Sequence, residues 1–168
     1  MRHAVDVSER VRGRYEQVPA ILRLDFDHIV REPLSELRVE VGRSSLGRRV
    51  DARVGPLHAA GPPRGLSPRT LEVPVRWRAG DHPALFPTMT GLLRIASGGA
   101  NAIELRLTGE YTPPLGAFGA LADRIAGHQA VTASLRSYLH DVGGRLEAAL
   151  SKHAPDTHVR RGTVERSP

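Results

Sequence analysis

Up to Tyr111 the chain mostly alternates apolar and polar residues; beyond it, apolar residues recur every three or four places. A period of two marks strands with one buried face, and a period near 3.6 marks an amphipathic helix. Leu37, Val39 and Val41 alternate with Arg38 and Glu40, and Val50, Ala52 and Val54 with Arg49, Asp51 and Arg53. Leu71, Val73, Val75 and Trp77 alternate with Thr70, Glu72, Pro74, Arg76 and Arg78. Met89, Gly91, Leu93 and Ile95 predict another strand; Ile103, Leu105, Leu107, Gly109 and Tyr111 predict the next, against Glu104, Arg106, Thr108 and Glu110. His3 to Val11 reads as a weaker first strand, with Val5 and Val7 on one face and Ala4, Asp6 and Ser8 on the other. After it, Val18, Ile21, Leu22, Phe26 and Ile29 have helical spacing, and Pro19 suits the start or break of a short helix.

The breaks between these stretches set the topology. Gly42 to Gly47 and Ser97-Gly98-Gly99-Ala100 read as turns, and short turns imply antiparallel neighbours. Leu57 to Pro68, with three prolines and two glycines, reads as a loop. Pro74 cannot donate a ladder hydrogen bond, which predicts an edge strand or a bulge. One charged face per strand implies a sheet covered on one side only.

Thr112-Pro113-Pro114 then opens a helical stretch to about Lys152, proline being favoured in a first turn. Its apolar positions are Leu115, Phe118, Leu121, Ala122, Ile125, Val131, Leu135, Leu139, Val142, Leu146 and Leu150. A straight rod of this length would measure about 58 Å, which predicts a bend at Gly127 or at Gly143-Gly144. The predicted fold is α+β: an antiparallel sheet of about six strands curved around one long C-terminal helix. One or two short helices follow the first strand. Residues 1–153 form a single domain, and 154–168, polar and without periodicity, are expected to be a disordered tail.

Composition narrows the classes. At 168 residues the chain is long enough for one core. It has no cysteine, which excludes disulfides and thiolate metal sites and suits a reducing compartment. No secretory leader or membrane span is expected, so the expected location is cytoplasmic. The net charge of +6 raises a nucleic-acid reading. Against it, the six arginines at 38, 49, 53, 76, 78 and 106 are interleaved with five acids at 40, 51, 72, 104 and 110, a mixed solvated face. Much of the excess sits at the ends: Arg2, Arg10, Arg12, Arg14, Lys152, Arg160, Arg161 and Arg166.

Leu107-Thr108-Gly109-Glu110-Tyr111-Thr112-Pro113-Pro114-Leu115-Gly116, followed by Asp123 and Gly127-His128, resembles the last-strand-to-helix junction of small bacterial members of the START-like, or SRPBCC, superfamily. Leu85-Phe86-Pro87 is similar to the same group. This is the helix-grip fold of polyketide cyclases, lipid-transfer domains and pollen-allergen proteins. Over residues 1 to about 150 the resemblance is one of element order. It implies a fold and a cavity between sheet and helix, and no single reaction.

On that reading the inward residues Val73, Val75, Trp77, Met89, Leu93, Ile95, Leu105, Leu107, Tyr111, Phe118, Ala122 and Ile125 would line a binding cavity. Periodicity fixes facing and not volume, so a filled core is the alternative. Gly91, Gly109, Gly116, Gly119 and Ala122 either leave room or let backbones approach closely. Trp77 and Tyr111, apolar bodies with polar tips, are the residues expected to orient a ligand. Leu57 to Pro68 and Asp81 to Pro87 would frame its mouth. Arg94 is expected to point outward, between inward Leu93 and Ile95.

Asp25-Phe26-Asp27-His28 groups two carboxylates and an imidazole, but nothing nearby completes an acid–base site. His128 and His140, about 120° apart around a helix, cannot share a metal on one face. His-Glu-x-x-His, P-loop, Gly-x-Ser-x-Gly and dinucleotide motifs are absent. No catalytic residue, metal ligand or cofactor is assigned. The leading expectation is binding of a small apolar or amphipathic molecule, with no nucleic acid. The alternatives are a cyclase or aromatase-type enzyme, for which Tyr111 is the one acid–base candidate, and a basic interaction protein without a small ligand. Oligomeric state is not determined by these patterns.

Overall fold

A computed structural model describes residues 2–35, 38–41, 44–60, 70–79, 88–112 and 121–153; for residues 35–52, 79, 121–127 and 130 only backbone placement is used. Strand β1 (His3–Arg12) leads through a 3-10 turn (Tyr15–Gln17) into α1 (Val18–Phe26). A π-helical segment (Asp27–Arg31) and α2 (Glu32–Ser35) follow. Then come β2 (Arg38–Val41), β3 (Ser44–Val54), β4 (His58–Ala60), β5 (Thr70–Ala79), β6 (Thr88–Gly99), β7 (Ala102–Thr112) and α3 (Leu121–Lys152). All strand pairs are antiparallel, in the order β1-β7-β6-β5-β3-β2, with β4 also on β5.

The alternation sorts the faces as expected. Val5, Val7 and Val11 on β1, Leu71, Val73, Val75 and Trp77 on β5, and Ile103, Leu105, Leu107 and Tyr111 on β7 are all buried. On α3, Val131, Leu135, Tyr138, Leu139, Val142, Leu146 and Leu150 form the stripe that meets them. Each such side chain removed from water contributes about 1.5–3 kcal/mol. The outer face carries the charges, and several pair across strands: Arg94 Nε with Glu72 Oε1 at 2.8 Å, and Arg106 with Asp6 through two parallel bonds, one at 2.9 Å. Arg94 therefore points outward, as its neighbours predicted.

Helix α3 packs most extensively on β1 and also closely on β2 and β7. Strands β1 and β2 are the two ends of the sheet path, so the curved sheet touches the helix with both edges. Among the described residues, its middle strands, β5 and β6, meet α3 less extensively than β1, β2 and β7 do.

Several boundaries depart from the sequence reading. Strand β3 begins at Ser44, inside the expected Gly42 to Gly47 turn, and β4 lies inside the expected Leu57 to Pro68 loop. Pro74 is not on an edge: β5 pairs with β6 on one side and with β3 and β4 on the other. The bulge alternative holds instead. Between the pairs Val54–Val75 and His58–Glu72, the three residues 55–57 oppose the two residues 73–74. Pro74 offers its carbonyl to Gly55 N–H at 2.8 Å, so its missing N–H falls at this break in the ladder.

Thr112 ends β7 rather than starting a helix, and α3 runs unbroken through Gly127, Gly143 and Gly144. Gly143 is not a hinge. A Cβ there would lie 3.0 Å from Val11 Cγ2, so the glycine lets α3 sit down on β1. The expected tail, 154–168, lies outside the described residues, as do 61–69 and 80–87, which include the expected mouth segments. Among the described residues no helix is long and apolar enough to cross a membrane.

Candidate functional site

The register lines up the inner face of the sheet in rows. His3 on β1 is opposite Tyr111 on β7, Tyr111 is opposite Met89 on β6, and Met89 is opposite Trp77 on β5. The next row is Val5, Gly109, Gly91 and Val75, and the one beyond it is Val7, Leu107, Leu93 and Val73. Glu9, Leu105, Ile95 and Leu71 form the fourth. Nine of the twelve residues expected to line a cavity thus share one surface: Val73, Val75, Trp77, Met89, Leu93, Ile95, Leu105, Leu107 and Tyr111, all buried. Phe118 lies outside the described residues, and Ala122 and Ile125 are placed on α3 by their backbone alone.

The first row holds the polar chemistry. The Tyr111 ring stacks between two imidazoles, His3 at 5.3 Å and His128 at 5.9 Å between centroids. Its hydroxyl lies 3.1 Å from His128 Nδ1, a hydrogen bond in which the phenol donates when that nitrogen is bare. Burial pushes the Tyr111 phenol above its ordinary pKa, so it stays a neutral phenol at physiological pH. This contact ties the first half of α3 to the end of β7.

Two strands away, about 10 Å at ordinary sheet spacing, Trp77 is 3% exposed. Its Nε1 is buried and has no hydrogen-bond partner among the described residues. An indole N–H can only donate, and burying it unpaired costs about 1–3 kcal/mol. A folded chain rarely keeps such a group without a use for it. Tyr15 is the other orphan of this kind, its hydroxyl buried and unpaired beyond the far end of β1.

The glycine pair in the second row does not leave open room. A Cβ on Gly109 would stand 2.5 Å from the Thr90 carbonyl and 2.9 Å from Met89 Cε, and one on Gly91 would stand 2.8 Å from the same methyl. The Met89 methyl occupies the notch, and the close-approach explanation holds for both residues.

Elsewhere the candidate groups separate. Asp27 pairs with Arg31 at 2.9 Å, while His28 Nδ1 lies 2.8 Å from Glu32 Oε2. Arg145 of α3 donates to the His28 carbonyl and to Glu32, both at 2.7 Å, so this cluster fastens the short helices to α3. The bonds from His28 and Arg145 hold the Glu32 carboxyl below its usual range. His140 Nδ1 lies 3.0 Å from Glu9 Oε1, far along α3 from His128, as their angular separation requires. Among the described residues no cluster of His, Asp and Glu is arranged to hold a metal.

His3 and His128 were not legible as partners of Tyr111. Pairing of His3 depends on strand register, and that of His128 on how α3 crosses β7. Neither leaves a local signal in the sequence.

No family model and no curated protein matches this sequence. Solved structures do. A conserved protein from Geobacillus kaustophilus superposes with a TM-score of 0.52 at 12% identity, over 88% of this chain and 97% of its own. A Streptomyces aromatase/cyclase gives 0.47 at 17% identity over 88% and 94%. Norcoclaurine synthase from Thalictrum flavum gives 0.47 at 8% identity over 87% of each chain. At 12% identity the likeness to the Geobacillus protein is one of fold, and it agrees with the element order, the sheet path and the long closing helix described above: the chain has a helix-grip fold.

Proposed function

We propose that this domain binds one small apolar or amphipathic molecule between the central strands β5 and β6 and helix α3. The observation that carries the reading is the Trp77 indole N–H, a buried donor without a partner among the described residues, on a largely apolar surface. A ligand bringing an acceptor would remove its cost and bury apolar area at about 25 cal/mol per Å². That α3 packs more extensively on β1, β2 and β7 than on β5 and β6 supports the location. The proposed lining is the nine inner-face residues together with Phe118, Ala122 and Ile125. We keep the cytoplasm as the expected compartment, on the cysteine-free composition.

Native mass spectrometry of the purified protein, with organic extraction of whatever it carries, tests this directly. A co-purified apolar molecule is the expected result. Trp77 is the only tryptophan in the chain, so its emission should shift as that ligand is stripped and restored. A clean unliganded mass, with no emission change against fatty acids, sterols and polycyclic aromatics, would point to a filled core.

The second reading is a cyclase or aromatase-type enzyme. It is favoured by one contact, the Tyr111–His128 hydrogen bond, since an imidazole beside a phenol can pass a proton. The raised phenol favours Tyr111 as a hydrogen-bond donor over a phenolate base.

A further inference from the structure

We propose that the ligand is a neutral carbonyl compound, an apolar skeleton whose single oxygen accepts the Trp77 indole N–H, and not a carboxylate. This rests on the binding reading above and narrows it.

Four observations support it. Trp77 offers a donor and nothing else, so the ligand must supply an acceptor. The second polar group of the same row, the Tyr111 hydroxyl, is already held by His128 and walled in by two stacked imidazoles. A ligand hydroxyl would bring its own proton, and the one carboxylate among the described inner-face strand residues, Glu9, lies three rows away and is hydrogen-bonded to His140. A carbonyl oxygen brings none.

The charges of the described residues favour a neutral ligand over an acid. Arg76, Arg94 and Arg106 of the central strands all lie on the exposed outer face, and two of them are paired there. A carboxylate entering beside Val75, Met89 and Trp77 would lose its hydration without meeting a lysine or arginine among the residues of β1, β5, β6 and β7 that face inward.

Three probes of matched length separate the outcomes: undecanone, its methylidene isostere with C=CH2 in place of C=O, and undecanoate. Binding is read by calorimetry and by the single indole N–H resonance of the full chain. The ketone should bind about tenfold more tightly than the isostere, the equivalent of one hydrogen bond. It should also move the indole resonance, which the isostere should leave in its unbonded position. Undecanoate should bind more weakly than either. In Trp77→Phe the ketone and the isostere should become equal.

Equal affinities in the unsubstituted protein, or undecanoate binding most tightly, would overturn the carbonyl assignment and leave the binding reading standing. Failure of all three probes to bind a folded protein would overturn both. The comparison within the unsubstituted protein needs no variant, so a Trp77→Phe chain that misfolds does not remove the test.

Discussion

The Tyr111 hydroxyl lies 3.1 Å from His128 Nδ1, joining the last residues of β7 to the first half of α3. Tyr111 is buried, and the His3 ring also stacks on it. Tyr111→Phe keeps the ring and removes the bond. It should lower stability by about 1 kcal/mol, a fall in melting temperature of about 2–4 °C. His128→Ala should cost a similar amount, and the double variant should cost less than the sum. Strictly additive losses in thermal melts would show that the contact does not hold helix to sheet.

All three tyrosines, Tyr15, Tyr111 and Tyr138, have phenols raised by burial. A raised pKa means that the folded state holds its protons more tightly than the unfolded chain. The associated stability is fully present below the unfolded value of about 10 and is lost as pH rises through the folded values. Spectrophotometric titration should therefore find no phenol ionising in the ordinary range while the chain remains folded. All three should ionise together with alkaline unfolding. One tyrosine titrating near 10 in a folded protein would contradict this packing.

The glycines divide sharply by surroundings. Gly109→Ala places a methyl 2.5 Å from the Thr90 carbonyl and 2.7 Å from Gly91 Cα, both backbone atoms that cannot swing aside. It should cost about 3 kcal/mol or more, or prevent folding. Gly144→Ala meets nothing within 4 Å on a helix interior and should stabilise by about 0.5–1 kcal/mol. Chemical denaturation of the two variants checks both signs.

His140 is raised above its ordinary pKa, first by the hydrogen bond to Glu9 and then by that carboxylate's charge. The folded state thus favours the imidazolium. Its contribution is present below the unfolded value of about 6.5 and fades as pH rises through the folded one. The pair is exposed, so salt should weaken it. In Glu9→Gln, the His140 titration followed by NMR should move down. An unchanged midpoint would show that Glu9 is not the cause.

Which residues face inward was legible because a strand's side chains alternate and a helix's repeat every three or four residues, and burial acts on both patterns directly. The inward set on β5, β6 and β7, the apolar stripe of α3 from Val131 onward and the outward Arg94 follow from that local rule. Pro74 showed that the ladder must be interrupted there. It could not show whether the interruption was an edge or a bulge, because that depends on β4, a strand of three residues in a stretch rich in proline and glycine. Gly143 announced a weak point of the helix and proved to be a seat for Val11, since only the partner surface distinguishes a hinge from a close contact.

The site divides in the same way. Sequence alone determined that Trp77 and Tyr111 share a face, because their strands' periods fix it. Tertiary structure decided the rest: that His3 and His128 both stack on Tyr111, and that the Trp77 N–H has no partner among the described residues. Those facts depend on strand register and on the line along which α3 crosses the sheet. Both are set by contacts between residues far apart in the chain, which local periodicity does not encode.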